Sequence, residues 1–248
     1  MKNLSTLLAA ALVLFLFSCS KDNSAPNANS AFLPKTYTED IRSSVVGNST
    51  TTYTLTYDGH SRVVTLTATP APPSLNFVYT YPSNTTATLD MYDHGTLSIH
   101  ENFWVNSASF LDTTFQYDNE GDTTTERYVY NGNNQLMQII EYSYTSSGTT
   151  VTNVTDYTYD SQGNIISTLD MLGKAITYTY YTDLPNNFIM GPTFLPQPAY
   201  FLKKVALNDG GTMATTTHYY TFDSQKRLTT DSTSIEEFDF TGVKTYTY

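Results

Sequence analysis

Cysteine is nearly absent. The 248 residues hold one, Cys19, so no internal disulfide can staple the fold. Charge is sparse at 14% of residues, and basic groups are the scarcer, 12 Lys and Arg against 23 Asp and Glu. A net charge of −11 repels a phosphate backbone, which excludes nucleic acid as a partner. It also repels an anionic headgroup layer, so a hold on a membrane has to come from lipid rather than a basic patch. HExxH, CxxC, P-loop, GxGxxG and nucleophile-elbow patterns are all missing, so no cofactor and no catalytic residue is expected. Beyond the N-terminal apolar run, no stretch shows the 3.6-residue period of a helix.

What is present points to strands. Tyr occurs 21 times and Phe 13 times beside a single Trp, and Thr is abundant. These residues suit a pleated, half-buried surface and lose side-chain freedom in a helix. From about residue 36 the pattern has period two. Tyr53, Leu55 and Tyr57 share one face against Thr52, Thr54 and Thr56, and Leu136, Gln138, Ile140, Tyr142 and Tyr144 alternate with Met137, Ile139, Glu141 and Ser143. Turn signals recur at short intervals, among them Asp58-Gly59, Asn131-Gly132-Asn133-Asn134, Ser161-Gln162-Gly163-Asn164 and Asp209-Gly210-Gly211. The expected fold is all-β, an extended antiparallel up-and-down meander, either an open single-layer sheet or a partly closed, barrel-like one. It forms a single domain over residues 36–248. A Pro-rich insertion over 183–200 interrupts it, because Pro cannot donate to a ladder. That insertion is expected to plug exposed core or to face a ligand. Glu236, Glu237 and Asp239 read as a charged edge strand guarded against aggregation.

The N-terminus has its own logic. Lys2 precedes an apolar run from Leu7 to Phe17, the length of a signal-peptide core and short of a membrane span. Leu16-Phe17-Ser18-Cys19 follows, and it resembles the lipobox of bacterial lipoproteins. The resemblance implies that residues 1–18 are removed, that Cys19 takes diacylglycerol on its sulfur and that its new amine is acylated. Several acyl chains anchor stably where one does not. Residues 19–35 are then the lipidated Cys and a polar, flexible tether. Localisation follows as lipid-anchored at the outer membrane, on the cell surface or the periplasmic face.

Tyr157-Thr158-Tyr159-Asp160-Ser161-Gln162-Gly163-Asn164-Ile165-Ile166, then Gly173 and Tyr178-Thr179-Tyr180, resembles a YD repeat of the RHS type. Looser copies run from Tyr57-Asp58, Tyr117-Asp118, Tyr130-Asn131 and Phe222-Asp223 at irregular spacing. In physical terms Asp opens a turn, Gly or Asn takes the left-handed position and Tyr pairs across the hairpin. Lipobox, polar tether, such hairpins and a Pro-rich insertion together are similar to a Bacteroidetes-type lipoprotein family. That family is a domain of unknown function with an extended, porin-like antiparallel sheet. The resemblance implies a fold and a location and carries no site residues.

Candidates for chemistry are few. Asp118, Glu120 and Asp122 alternate in one loop and could offer oxygen ligands to Ca²⁺; a solvated turn is the plainer reading. Phe103 and Trp104 could stack on a sugar ring. The four histidines, His60, His94, His100 and His218, lack metal-ligand spacing. The reading these residues support is a lipid-anchored extracytoplasmic protein with a non-catalytic binding or structural role, whose partners are the membrane through its lipid and a glycan or protein. The alternatives are a surface glycan-handling enzyme or accessory, and an outer-membrane β-barrel.

Overall fold

A computed structural model describes residues 33–248 apart from 45–46, 70–74, 146–147, 187, 189–193, 196–197 and 210–211. The export segment, Cys19 and most of the tether therefore lie outside the described residues. The strands are β1 (Thr36–Ser43), β2 (Ser49–Tyr57), β3 (Val63–Thr69), β4 (Leu75–Thr80), β5 (Thr86–Asp93), β6 (Thr96–Val105), β7 (Leu111–Asp118) and β8 (Thr123–Tyr130). They continue as β9 (Leu136–Thr145), β10 (Gly148–Tyr159), β11 (Ile165–Asp170), β12 (Ala175–Pro185), β13 (Tyr200–Asp209), β14 (Thr212–Phe222), β15 (Leu228–Ile235) and β16 (Phe240–Thr247). Each pairs antiparallel with the next, and β1 closes on β16, from Thr36 opposite Thr247 to Ser43 opposite Phe240. The meander is thus a closed barrel.

Closure corrects the edge-strand reading of the acidic segment, because a closed barrel has no edge to guard. Glu236–Phe238 is a single 3-10 turn that joins β15 to β16. Closure also divides the side chains into an inner and an outer set. Tyr37, Tyr53, Leu55, Leu66, Ala68, Tyr79 and Tyr246 are buried together inside, and Tyr37 stacks on Tyr53 at 4.6 Å. Many outer positions are Thr, and several pair hydroxyl to hydroxyl across strands. Thr38–Thr52 (3.1 Å), Thr56–Thr65 (2.6 Å), Thr158–Ser167 (2.6 Å) and Thr221–Thr230 (2.6 Å) are examples.

One face assignment shifts. Tyr130 pairs with Leu136 but Val129 with Gln138, so β9 carries an extra residue after Leu136. Leu136 therefore faces inward with Ile139, while Met137 is left exposed on the outside. Simple alternation cannot foresee such a bulge, and it recurs at the start of β3, β11 and β15.

The bulges follow one kind of turn. Asp58, Asn106, Asp118, Asn131, Asp160, Asp170 and Asp223 each accept, through one side-chain oxygen, the N–H groups two and four residues on. The residue three places on is always left-handed: Ser61, Ser109, Gly121, Asn134, Gly163, Gly173 and Lys226. A side chain with a Cβ is strained there by about 1–2 kcal/mol. Lys226 is exposed and has φ 62°. Lys226→Gly is therefore expected to raise unfolding stability by about 1 kcal/mol, read from a urea melt; no gain would mean the turn is already relaxed.

Tyrosines tie the hairpins together. Tyr81 OH donates to the Val63 carbonyl (2.8 Å), Tyr159 OH to that of Leu136 (2.7 Å) and Tyr248 OH to that of Leu228 (2.9 Å). Each acceptor is the first strand residue after a turn, where the bulge has freed its carbonyl. All these contacts lie at one end of the barrel. The described residues of the Pro-rich segment meet the barrel at that same end. Phe188 meets the Tyr246 ring at 4.9 Å, Phe194 meets Phe103 at 5.9 Å, and the Phe194 carbonyl accepts the Leu111 N–H. Through these contacts the described residues of the insertion form a plug at that end. The chain also enters here: Leu33 and Pro34 are buried, and the Pro34 carbonyl accepts Tyr57 OH.

Candidate functional site

The inner wall is not uniformly apolar, and its polar groups fall into two sets. On β14, β15, β16 and β1, His218 Nδ1 lies 3.1 Å from Asp231, and Lys244 Nζ lies 3.6 Å from Glu39. Register places Asp231 beside Lys244. This set places the Lys244 ammonium and the His218 imidazole against the Asp231 and Glu39 carboxylates, so its buried acids have partners.

The second set, on β6 to β10, consists of acids and neutral groups. Glu101 pairs across to Gln116, Glu126 to Thr114 and to Glu141, and Glu141 to Asn153. Tyr128 OH donates to Glu126, and Asn153 Nδ2 donates to Glu141 Oε1 at 3.0 Å. Burial, followed by the Glu126 charge, pushes the Glu101 carboxyl up from 4.5 to about 8. Burial also raises Glu126, with the Glu141 charge adding to it and the Tyr128 hydroxyl opposing. The result is an acidic wall in which Glu101 holds a proton at neutral pH. None of the residues singled out from the sequence belongs to this wall. Only strand register brings Glu101, Glu126 and Glu141 together, and their signal is a lone acid at an inward position of three separate strands.

The residues singled out from the sequence are placed as follows. Asp118 spends one carboxylate oxygen on the N–H groups of Glu120 and Asp122, both at 2.9 Å, and Glu120 and Asp122 are exposed. Among the described residues no group of three His, Cys, Asp or Glu is arranged to hold a metal ion. Phe103 and Trp104 do not share a surface. Phe103 points inward to the plug, while Trp104 is outside and 41% exposed. Neighbouring strand residues alternate faces, so an adjacent pair cannot form one stacking platform. Of the histidines, His60 and His94 lie in turns, His100 bonds Asp90 at 2.5 Å on the outer face, and His218 is buried inside.

This geometry is that of a porin-like barrel. A porin-like protein from Bacteroides uniformis superposes with TM-score 0.62 at 18% identity, covering 86% of this chain and 97% of its own. A second, from Bacteroides vulgatus, gives TM-score 0.59 at 10% identity over 88% of this chain and 98% of its own. At these identities the likeness is one of fold. No family profile matches the sequence. No curated protein is similar to it in sequence.

Proposed function

We propose that the chain is a lipid-anchored, extracytoplasmic barrel that binds a partner on its surface and catalyses no reaction. The observation that carries this is the outer face. A barrel wall set in lipid needs an apolar outward band about 25 Å tall. Here the outward positions of β1, β2 and β3 read Thr36, Thr38, Asp40, then Thr50, Thr52, Thr54, Thr56, then Thr65, Thr67, Thr69. Hydroxyls paired to one another in this way suit water. The porin-like fold is thus compatible with an outer-membrane setting in which the acyl chains on Cys19, rather than the wall, meet the bilayer. The described plug residues and the buried Leu33 and Pro34 occupy one end, so the described chain begins at the plugged end.

All sixteen strands lie within Thr36–Thr247, so a chain starting at Ser20 keeps the whole barrel. Two measurements test the reading. In cells fed labelled palmitate, the wild-type chain is expected to take the label and to pellet with envelopes, and Cys19→Ser to lose the label and leave the envelope fraction. The chain starting at Ser20 is expected to stay in solution without detergent. A Cys19→Ser protein that still pellets at its usual size overturns the anchor. A detergent requirement for the shortened chain gives the embedded barrel instead.

A further inference from the structure

The outer face is not Thr-coated all round. On β6 to β10 the hydroxyl pattern gives way to rings. By register, Asn102, Phe115, Thr125, Tyr142 and Val151 form one outward rung. Trp104, Thr113, Arg127, Ile140 and Val154 form the next. His100, Tyr117 and Thr123 extend the surface on the other side. The rings touch. His100 stacks on Tyr117 at 4.9 Å, and Phe115 lies 6.3 Å from Tyr117. Trp104 and Tyr117 are exposed, at 41% and 38%, and Tyr144 at 50% continues the line of Tyr142 along β9.

A second, independent feature lies beneath them. Thr125 is 8% exposed, and among the described residues its hydroxyl has no hydrogen-bond partner. It sits between Phe115 and Tyr142, on the strand between theirs. A buried hydroxyl that nothing satisfies is unusual in a folded protein. Other outward threonines find partners, as Thr38 does in Thr52 and Thr67 in Asn76.

We propose that this platform binds a neutral glycan chain. The proposal rests on the non-catalytic binding reading above and names the ligand class. A pyranose offers apolar C–H faces edged by hydroxyls. The platform offers the complement: ring faces from Trp104, Phe115, Tyr117 and Tyr142, edged by Asn102, Thr113, Thr123 and the Arg127 guanidinium. Strands about 4.8 Å apart set these groups at the scale of a sugar ring. Charge selects a neutral polymer. The chain carries −11, and the outward carboxylates here are occupied, Asp90 by His100 and Asp156 by Gln138. An acidic polysaccharide is repelled.

Trp104 is the only tryptophan, so its emission reports on this surface alone. The chain starting at Ser20 is titrated with soluble β-glucan, mannan and galactan, and with polygalacturonate as an acidic control. At least one neutral polymer is expected to shift Trp104 emission and to retard the protein in an affinity gel, and polygalacturonate to do neither. Tyr117→Ala and Tyr142→Ala are each expected to weaken that binding at least tenfold, while Tyr219→Ala, an exposed ring on β14, leaves it unchanged. No response to any neutral polymer overturns the proposal, as does a response that survives both ring substitutions or a response to polygalacturonate alone. Palmitate labelling and detergent-free solubility are read separately, so a failure here leaves the anchored barrel standing.

Discussion

The barrel is expected to melt at a higher temperature at pH 5 than at pH 8.5, with Glu101→Gln removing most of the difference. Unfolded, the Glu101 carboxyl titrates near its ordinary 4.5; folded, burial and the Glu126 charge hold it up to about 8. Below the lower value both states carry the proton and burial of the group costs nothing. Between the two values the folded state binds a proton that the unfolded chain has released, so stability falls as pH rises through that window. Each tenfold difference in proton affinity between the two states corresponds to about 1.4 kcal/mol, and partial solvation trims the total to roughly 3 kcal/mol. For a chain of this size that moves the melting temperature by about 6–12 °C. Glu126, raised by the same burial, adds a slope of the same sign. The turn aspartates act oppositely. N–H groups and Arg62, Asn164 or Arg227 hold Asp58, Asp160 and Asp223 below 3.8 against their own desolvation, so what they contribute is lost only in stronger acid. The stability maximum then falls near pH 5. Glutamine keeps the size and hydrogen-bonding ends of Glu101 without its charge, so Glu101→Gln should gain stability at pH 8.5 and little at pH 5. A melt that is flat from pH 5 to 8.5 in the wild type would show that Glu101 ionises normally inside the barrel.

The acidic wall and the outer platform show where sequence reasoning stops. Class and topology were readable because both are local: Tyr53, Leu55 and Tyr57 alternate with threonines within one strand, and Asp160 and Gly163 define their turn within five residues. Closure was not, since it depends on Thr36 meeting Thr247 at the far end of the chain. The site was not, because Glu101, Glu126 and Glu141 come from three strands, β6, β8 and β9, and nothing in any one of them marks the acid as inward. Phe103-Trp104 failed for the converse reason. Adjacency in sequence looked like adjacency in space, and the pleat turned one ring to the plug and the other to solvent. The bulge after Leu136 reversed a face that plain alternation assigned. The first outward row readable without a structure is the Thr pattern of β2, and it already argued against a lipid-facing wall.

Asn164→Ala is expected to cost about 3 kcal/mol and to loosen the plug. In three of the turns the residue four places after the aspartate donates to its second carboxylate oxygen: Arg62 to Asp58 at 2.7 Å, Arg227 to Asp223 at 2.7 Å and Asn164 to Asp160 at 2.8 Å. Arg suits that task, and both arginines also lie over a tyrosine, Arg62 over Tyr81 and Arg227 over Tyr248. Position 164 differs because the plug crosses it. The Ala199 N–H, at the end of the Pro-rich segment, donates to Asn164 Oδ1 at 2.9 Å, and a guanidinium has no acceptor to offer. An amide supplies both ends, so Asn164 is 1% exposed and bonded on each side, joining turn to plug. Alanine removes the donor from a carboxylate, worth about 1.5–3 kcal/mol, and takes the acceptor from the Ala199 N–H; Ala199 is exposed, so water replaces part of that bond and the sum stays near 3. Asn164→Asp separates the two effects, since it keeps the acceptor for Ala199 but sets a second carboxylate against Asp160. It is therefore expected to hold the plug while destabilising the turn, and to recover in acid as one carboxyl takes a proton. Hydrogen exchange at the Ala199 amide reads the plug, and a urea melt reads the whole barrel. Faster exchange in Asn164→Ala with near wild-type protection in Asn164→Asp is the expected pattern; equal protection in all three proteins, with a melt unchanged within about 0.5 kcal/mol, would mean that the aromatic contacts of Phe188 and Phe194 hold the plug without this bond.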